Sequence, residues 1–134
     1  MMNAKNRYVA LVDDDVSACL GLARLLRACD MHVATFPSAE DFIAAGPPWT
    51  FDCLVLDLRL GGMSGLELQR LLRKWQVALP VFVVSADDDP KTREEAKSLG
   101  ALAFFHKTEP GEGLIDAIEH LRPAAPAARI GAHA

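Results

Sequence analysis

Five short apolar runs alternate along the chain with longer segments of mixed character: YVALV (Tyr8 to Val12), HVATF (His32 to Phe36), CLVLD (Cys53 to Asp57), VFVV (Val81 to Val84) and LAFFH (Leu102 to His106). Runs one, three and four are almost wholly apolar, which predicts strands covered on both faces, since one wet face would impose alternation. The second run is the weakest of the five. The segments between them read as helices. Val16 to about Ala28 is broadly apolar, with Arg24 and Arg27 marking its wetter side. SAED, from Ser38, puts an acid at the third helical position and predicts a helix start of the capping-box type. SGLE, with Ser64 and Glu67, repeats the device ahead of LQRLLRKW. Asp89-Pro90 pairs a capping acid with a proline suited to the first helical turn, and Gly100 suits the stop. That fourth segment, PKTREEAKSL, has few apolar residues and should show most of its surface to water. A fifth helix is expected from about Glu112 to Leu121, ahead of Pro123.

Five βα units in one short domain predict an α/β fold: a parallel sheet with helices on both faces. Right-handed crossovers narrow the topology to the flavodoxin-like strand order 2-1-3-4-5. The domain should occupy residues 1–122. The Pro/Ala-rich residues 123–134 carry no core pattern and read as a disordered tail or the start of a linker. At 134 residues, 51% of them hydrophobic and 24% charged, the chain can bury a single good core. A net charge of −4 does not suggest a non-specific nucleic-acid or membrane surface. No apolar run approaches the roughly 18 residues of a membrane span, and the polar MMNAKNR start does not read as a signal peptide. Cys19, Cys29 and Cys53 are odd in number and lack CxxC spacing, so buried thiols in a reducing cytoplasm are expected.

In folds of this kind ligands sit beyond the carboxyl ends of the strands. There the sequence places Asp13, Asp14 and Asp15 after strand one, Asp57 after strand three, Ser85 and the small Ala86 after strand four, and Lys107 after strand five. In the expected order strands 1, 3, 4 and 5 are consecutive neighbours about 4.8 Å apart. Carboxylates from two adjacent strands make a hard oxygen cage suited to Mg²⁺, and the cation would remove their mutual repulsion. Asp57 could then attack phosphorus as a carboxylate nucleophile. A hydroxyl and an ammonium opposite would neutralise the moving phosphoryl group, with Ala86 leaving it room. Any one of these residues alone reads more simply as a turn, cap or solvated charge; their convergence is what points to phosphoryl chemistry.

The motifs LVDDD, LVLDLRLGGMSGLE, VVSA and FFHK resemble, in order and spacing, the receiver domain of two-component response regulators, over about residues 7 to 122. SGLELQRLLR and PVFVVSADDDPKTREEAKSLGALAFFHK look closest to the transcription-regulator branch whose members carry a C-terminal helix-turn-helix domain. The resemblance implies that Asp57 is the phosphoacceptor and that Mg²⁺ (or Mn²⁺) is held by Asp14, Asp13, Asp57 and the backbone carbonyl of Arg59. It implies Ser85 as the switch hydroxyl, Phe104 as the aromatic whose rotamer accompanies the switch, and Lys107 as the contact to phosphoryl oxygens. Asp15 maps onto no core role and is left as a helix-start acid. Two positions depart from the family pattern. Gly61 stands where a proline is usual, so that Gly61 and Gly62 should loosen the loop. Thr108, not a proline in a cis bond, follows Lys107, where a trans bond is expected because cis costs about 2.5–4 kcal/mol before a non-proline residue. Arg59 and Asp87, two residues beyond Asp57 and Ser85, could pair across the mouth of the site.

The resemblance implies a cytoplasmic signalling domain, not an enzyme, whose only chemistry is self-catalysed phosphotransfer and autodephosphorylation. Its phosphodonor would be a histidine kinase or a histidine phosphotransfer protein. Phosphorylation would remodel the face of helix 4, strand 5 and helix 5, through which a phosphorylation-dependent homodimer is implied. No nucleic-acid or membrane contact is expected of the chain itself. Two other readings compete: a pseudo-receiver binding module that never takes phosphate, and a haloacid-dehalogenase-type phosphatase in which DDDVS supplies Asp13 as nucleophile and Asp15 as acid/base.

Overall fold

The computed structural model describes residues 7–46 and 50–121; the 123–134 tail lies outside the described residues. Elements alternate throughout: β1 (Tyr8–Val12), α1 (Val16–Ala28), β2 (His32–Phe36), α2 (Ala39–Ala45), β3 (Cys53–Leu56), α3 (Gly65–Lys74), β4 (Val81–Ser85), α4 (Pro90–Ser98), β5 (Ala101–His106) and α5 (Glu112–Glu119). The five strands pair in parallel in the order β2-β1-β3-β4-β5. This is the expected order, and it makes β2 and β5 the sheet edges. The edges are the least covered strands, whereas β1 is exposed only at Tyr8 and β3 is buried at every residue.

Alternation along each central strand divides the core in two. Val9, Leu11, Val55 and Phe82 point to one side, where α1 and α5 cover them with Cys19, Ala23, Leu26, Leu114 and Ile118. Ala10, Val12, Leu54, Leu56 and Val83 point to the other, beneath Ala39, Phe42, Leu68, Leu72 and Ala96 of α2, α3 and α4. The polar fourth helix buries only Ala96. Polar straps from α3 hold it: Gln69 Nε2 donates to Ala96 O at 3.1 Å, Arg73 Nη1 donates to Ser98 O at 2.8 Å, and Arg70 pairs with Glu95. At the foot of the sheet the buried Arg7 guanidinium donates to the carbonyls of Glu119 and Leu121, tying the end of α5 to the start of β1.

The helix starts follow their sequence signals. Asp15, Ser38, Ser64 and Asp89 cap α1 to α4, and Pro90 opens α4. At α3 the box is reciprocal: Ser64 Oγ accepts the Glu67 N–H at 3.1 Å, and Glu67 Oε1 accepts the Ser64 N–H at 2.9 Å. The Ser64 backbone N–H, and after it the Ser64 hydroxyl, hold the Glu67 carboxyl below its ordinary value. Ser64→Ala, which deletes one of them, should cost about 1 kcal/mol and lower the melting temperature by a few degrees in a thermal scan. α4 closes before Gly100, which takes a φ of 106°. Several boundaries and one thiol differ from the sequence reading; β5 begins one residue earlier, at Ala101, and α4 ends at Ser98. β3 stops one residue before Asp57, β4 extends to Ser85, and α5 ends at Glu119. Cys29, the C-cap of α1, is half-buried, while Cys19 and Cys53 are buried; all three are free. Burial pushes the Cys53 thiol up to about 12, which makes it inert. No helix among the described residues is long and apolar enough to cross a membrane.

Candidate functional site

Asp13 and Asp57 each begin where a central strand ends. The Asp57 N–H donates to Val12 O at 3.0 Å and the Asp13 N–H to Phe36 O at 3.1 Å, so the sheet's own hydrogen bonding extends one residue past the strands and sets both carboxylates at its rim. Both are buried, at 7% and 5% exposure, while Asp14 is exposed beside them. One carboxylate oxygen from each of the three lies within 4.8 Å of the others. Turn hydrogen bonds aim two of the side chains. Asp13 Oδ1 accepts the Asp15 N–H at 2.9 Å, and Asp57 Oδ1 accepts the Arg59 N–H at 3.1 Å.

Lys107 reaches in from the end of β5. Its Nζ lies 2.9 Å from Asp57 Oδ2 and 3.2 Å from Asp13 Oδ1, so one ammonium bridges two buried carboxylates. Burial pulls the lysine down, but the hydrogen bond and charge of Asp57, then of Asp13, outweigh it and hold the ammonium above the ordinary lysine value. Burial pushes the Asp13 carboxyl above its ordinary value, against the Asp15 N–H and the Lys107 charge. Three carboxylates against one ammonium leave the cluster formally short of positive charge.

The remaining sequence-derived residues surround this centre. Ser85 is fully buried. Its carbonyl accepts the Lys107 N–H at 3.0 Å and its Oγ accepts the Asp87 N–H at 3.2 Å, leaving the hydroxyl proton to be donated elsewhere. Ala86 is exposed at the rim. Arg59 Nε and Asp87 Oδ2 pair at 3.6 Å across the mouth. Phe104, opposite Val83 in the β4/β5 register, packs into the core beneath α2, α3 and α4. It lies on the α4 side of the sheet, with the Arg93 guanidinium carbon 4.7 Å from its ring centroid. Asp15 accepts the Ala18 N–H and serves as the cap of α1.

Two features escaped the linear reading. The glycine loop after β3 is pinned by carboxylates from elsewhere: Asp14 Oδ2 accepts the Gly61 N–H at 3.2 Å, and Glu40 Oε2 accepts the Met63 N–H at 2.8 Å. Glu40 sits in SAED and reads as a helix-start acid; nothing in its spacing shows a reach across 23 residues. In the sequence His106 reads only as the end of a strand, yet its ring bonds on both sides of Lys107's turn, to Thr108 and Asp88.

The profile of the response regulator receiver domain family matches residues 9–119. The transcriptional regulatory protein TdiR of Thauera aromatica is 37% identical over 110 residues, covering 82% of this chain and 48% of that protein. The transcriptional regulatory protein FixJ of Bradyrhizobium diazoefficiens is 32% identical over 123 residues, 91% of this chain and 60% of that one. The chain thus spans about half the length of the curated relatives it matches. Among solved structures, the response regulator StyR aligns with a TM-score of 0.77 at 40% identity, over 85% of this chain and 58% of its own. FixJ-N aligns with a TM-score of 0.79 at 32% identity, over 90% and 99%. A sheet of this order, an acidic trio at its rim and a profile spanning nearly all the described residues agree, and the chain belongs to the response regulator receiver domain family.

Proposed function

We propose that Asp57 accepts a phosphoryl group from the phosphohistidine of a histidine kinase or histidine phosphotransfer protein. The observation that carries this reading is the convergence of two further carboxylates, Asp13 and Asp14, and one ammonium, Lys107, on the buried Asp57. In the reaction a P–O bond forms to the Asp57 carboxylate, the P–N bond to the donor imidazole breaks, and the imidazole leaves with its electron pair. Lys107, already within hydrogen-bond reach of Asp57, meets the phosphoryl oxygens as they arrive. Ser85 directs its free hydroxyl proton at one of them.

The donor set fits Mg²⁺ or Mn²⁺: three hard carboxylate oxygens close together, with no thiol or imidazole among them. Asp13, Asp14 and Asp57 would hold the ion, with the Arg59 carbonyl as a further oxygen donor. Bound there, the ion supplies charge neutralisation for the acids and the phosphoryl oxygens. Incubation with acetyl phosphate and Mg²⁺, followed by intact-mass measurement, tests the reading by the gain of one phosphoryl group. A chain that gains none is the pseudo-receiver. Capture on Asp13 would instead restore the phosphatase reading, which the family match does not favour.

In the phosphorylated state Ser85 and Phe104 rearrange together and change the face built from α4, β5 and α5, where Leu102 is exposed; that face forms the homodimer contact. TdiR and FixJ are named as transcriptional regulatory proteins, and we assign this receiver to a cytoplasmic signalling system with an output of that kind. The chain itself, at net charge −4, is assigned no nucleic-acid contact. The Arg59–Asp87 pair sits over the mouth and shields the acyl phosphate from water. Arg59 is 72% exposed on its side chain, so the pair is held by no more than about 1 kcal/mol. Arg59→Ala should therefore speed dephosphorylation only a few-fold, read from the decay of the phosphorylated mass; an unchanged rate would remove the shielding role.

A further inference from the structure

We propose that His106 is a positioning residue for Lys107, its imidazole closing the turn that carries the lysine to Asp57. The inference rests on the reading of Lys107 as the group that meets the phosphoryl oxygens. The turn follows β5 directly. The Lys107 N–H donates to Ser85 O at 3.0 Å and the Glu109 N–H to His106 O at 2.9 Å, so residues 106–109 form a tight turn with Lys107 at its second position. The Thr108 N–H donates to His106 Nδ1 at 3.2 Å, and the Thr108 hydroxyl lies 2.8 Å from the same nitrogen. A backbone N–H can only donate, so Nδ1 must be the acceptor and the ring is the neutral tautomer with its proton on Nε2. Nε2 faces Asp88 Oδ1 at 3.1 Å. The side chain of one residue accepting the N–H two residues on is the device by which asparagine and aspartate brace turns; here an imidazole fills that place. It does so at the position where a proline would otherwise stiffen the chain after the lysine, and a proline would have no N–H to offer.

The clasp depends on an unprotonated Nδ1. A second proton on the ring removes the acceptor and sets Thr108's N–H and hydroxyl free. The charged groups around the imidazole are Asp88 from the β4–α4 loop, Lys107 and Glu109 from its own turn, and Asp13 across the cleft that His106, Lys107 and Glu109 line with α1. α1 contributes only Ala18, Gly21, Leu22 and Leu25 to that cleft. Asp88 accepts the Nε2 proton in either ring state, so the change on protonation falls on the Thr108 side.

The test uses the full chain, acetyl phosphate and Mg²⁺, with initial phosphorylation rates from intact mass between about pH 5.5 and 8, where histidine changes charge. NMR of the same protein follows the His106 ring nitrogens and the exchange of the Thr108 amide. In the wild type the rate should fall in a step as the pH is lowered, together with the protection of the Thr108 amide. His106→Ala should be about fivefold slower at the upper end, the factor expected for one lost hydrogen bond, and should lack the step. His106→Asn, whose side-chain oxygen can accept the same N–H without titrating, should regain the rate and still lack the step. A His106→Ala protein with the wild-type rate and profile overturns the proposal. If that variant does not fold, His106→Asn decides: a retained step overturns the proposal, its loss upholds it. If the wild type takes up no phosphoryl group at any pH, the functional reading falls and the Thr108 amide decides the clasp. Protection lost in His106→Ala, or on protonation of His106, and kept in His106→Asn supports it; equal exchange throughout overturns it.

Discussion

Asp57→Asn should abolish phosphoryl uptake from acetyl phosphate while leaving the fold intact. The amide has the shape of the carboxylate, so its oxygen can still accept the Arg59 N–H that now binds Oδ1 at 3.1 Å. What it lacks is the anionic electron pair that forms the new P–O bond. Lys107 keeps its second partner, Asp13, at 3.2 Å, so the substitution does not strand a buried ammonium. One negative charge also leaves a crowded cluster, which offsets the lost Lys107–Asp57 pair. Intact mass should show no gain under conditions where the wild type gains one phosphoryl group, and circular dichroism should superpose. A gain that persists in Asp57→Asn would place the acceptor elsewhere, and peptide mapping would find it.

The largest effect on stability should come from a methyl group. Gly65 opens α3 directly against the chain that leaves β3. A Cβ built there would lie 2.5 Å from the Asp57 carbonyl oxygen and 2.7 Å from Leu58 Cα, both backbone atoms. Neither can rotate away, and the Gly65 N–H also donates to Leu58 O at 3.0 Å, which fixes the approach. Gly65→Ala must therefore push α3 from the sheet or displace Asp57. Overpacking of this kind costs about 3 kcal/mol, which for a domain of this size lowers the melting temperature by roughly 10 °C. Because the displaced segment carries the acceptor, phosphorylation should slow as well. A neutral or raised melting temperature would show that the two segments part easily.

The fold was legible because its signals are local and redundant. Uninterrupted apolar runs mark β1, β3 and β4 as covered on both faces, Ser and Asp caps mark the helix starts, and right-handed crossovers leave one natural strand order. The ends of elements were less so. Asp57 reads as the last residue of a strand because its N–H still joins the sheet, although β3 stops at Leu56. The acidic trio, Ser85 and Lys107 were legible because each lies at or just past the end of a strand, so that topology alone brings them together. Glu40, Arg93 and His106 were not. Their side chains act on residues in other elements or across a turn, through rotamers that no spacing encodes. Gly65 is legible only as a helix-start residue; its intolerance of a methyl group comes from the angle at which α3 meets the sheet.

The Arg7 strap has a consequence for how the domain can be joined to others. Its guanidinium, at the threshold of β1, holds the carbonyls that end α5, so the described segment enters and leaves at one corner. A unit with adjoining ends adds no gap to a host chain: it can be set into a loop as an insert, or be relinked end to end and opened elsewhere. The same bond makes the two ends report on each other, since drawing them apart strips a buried cation of its acceptors before it disturbs the sheet.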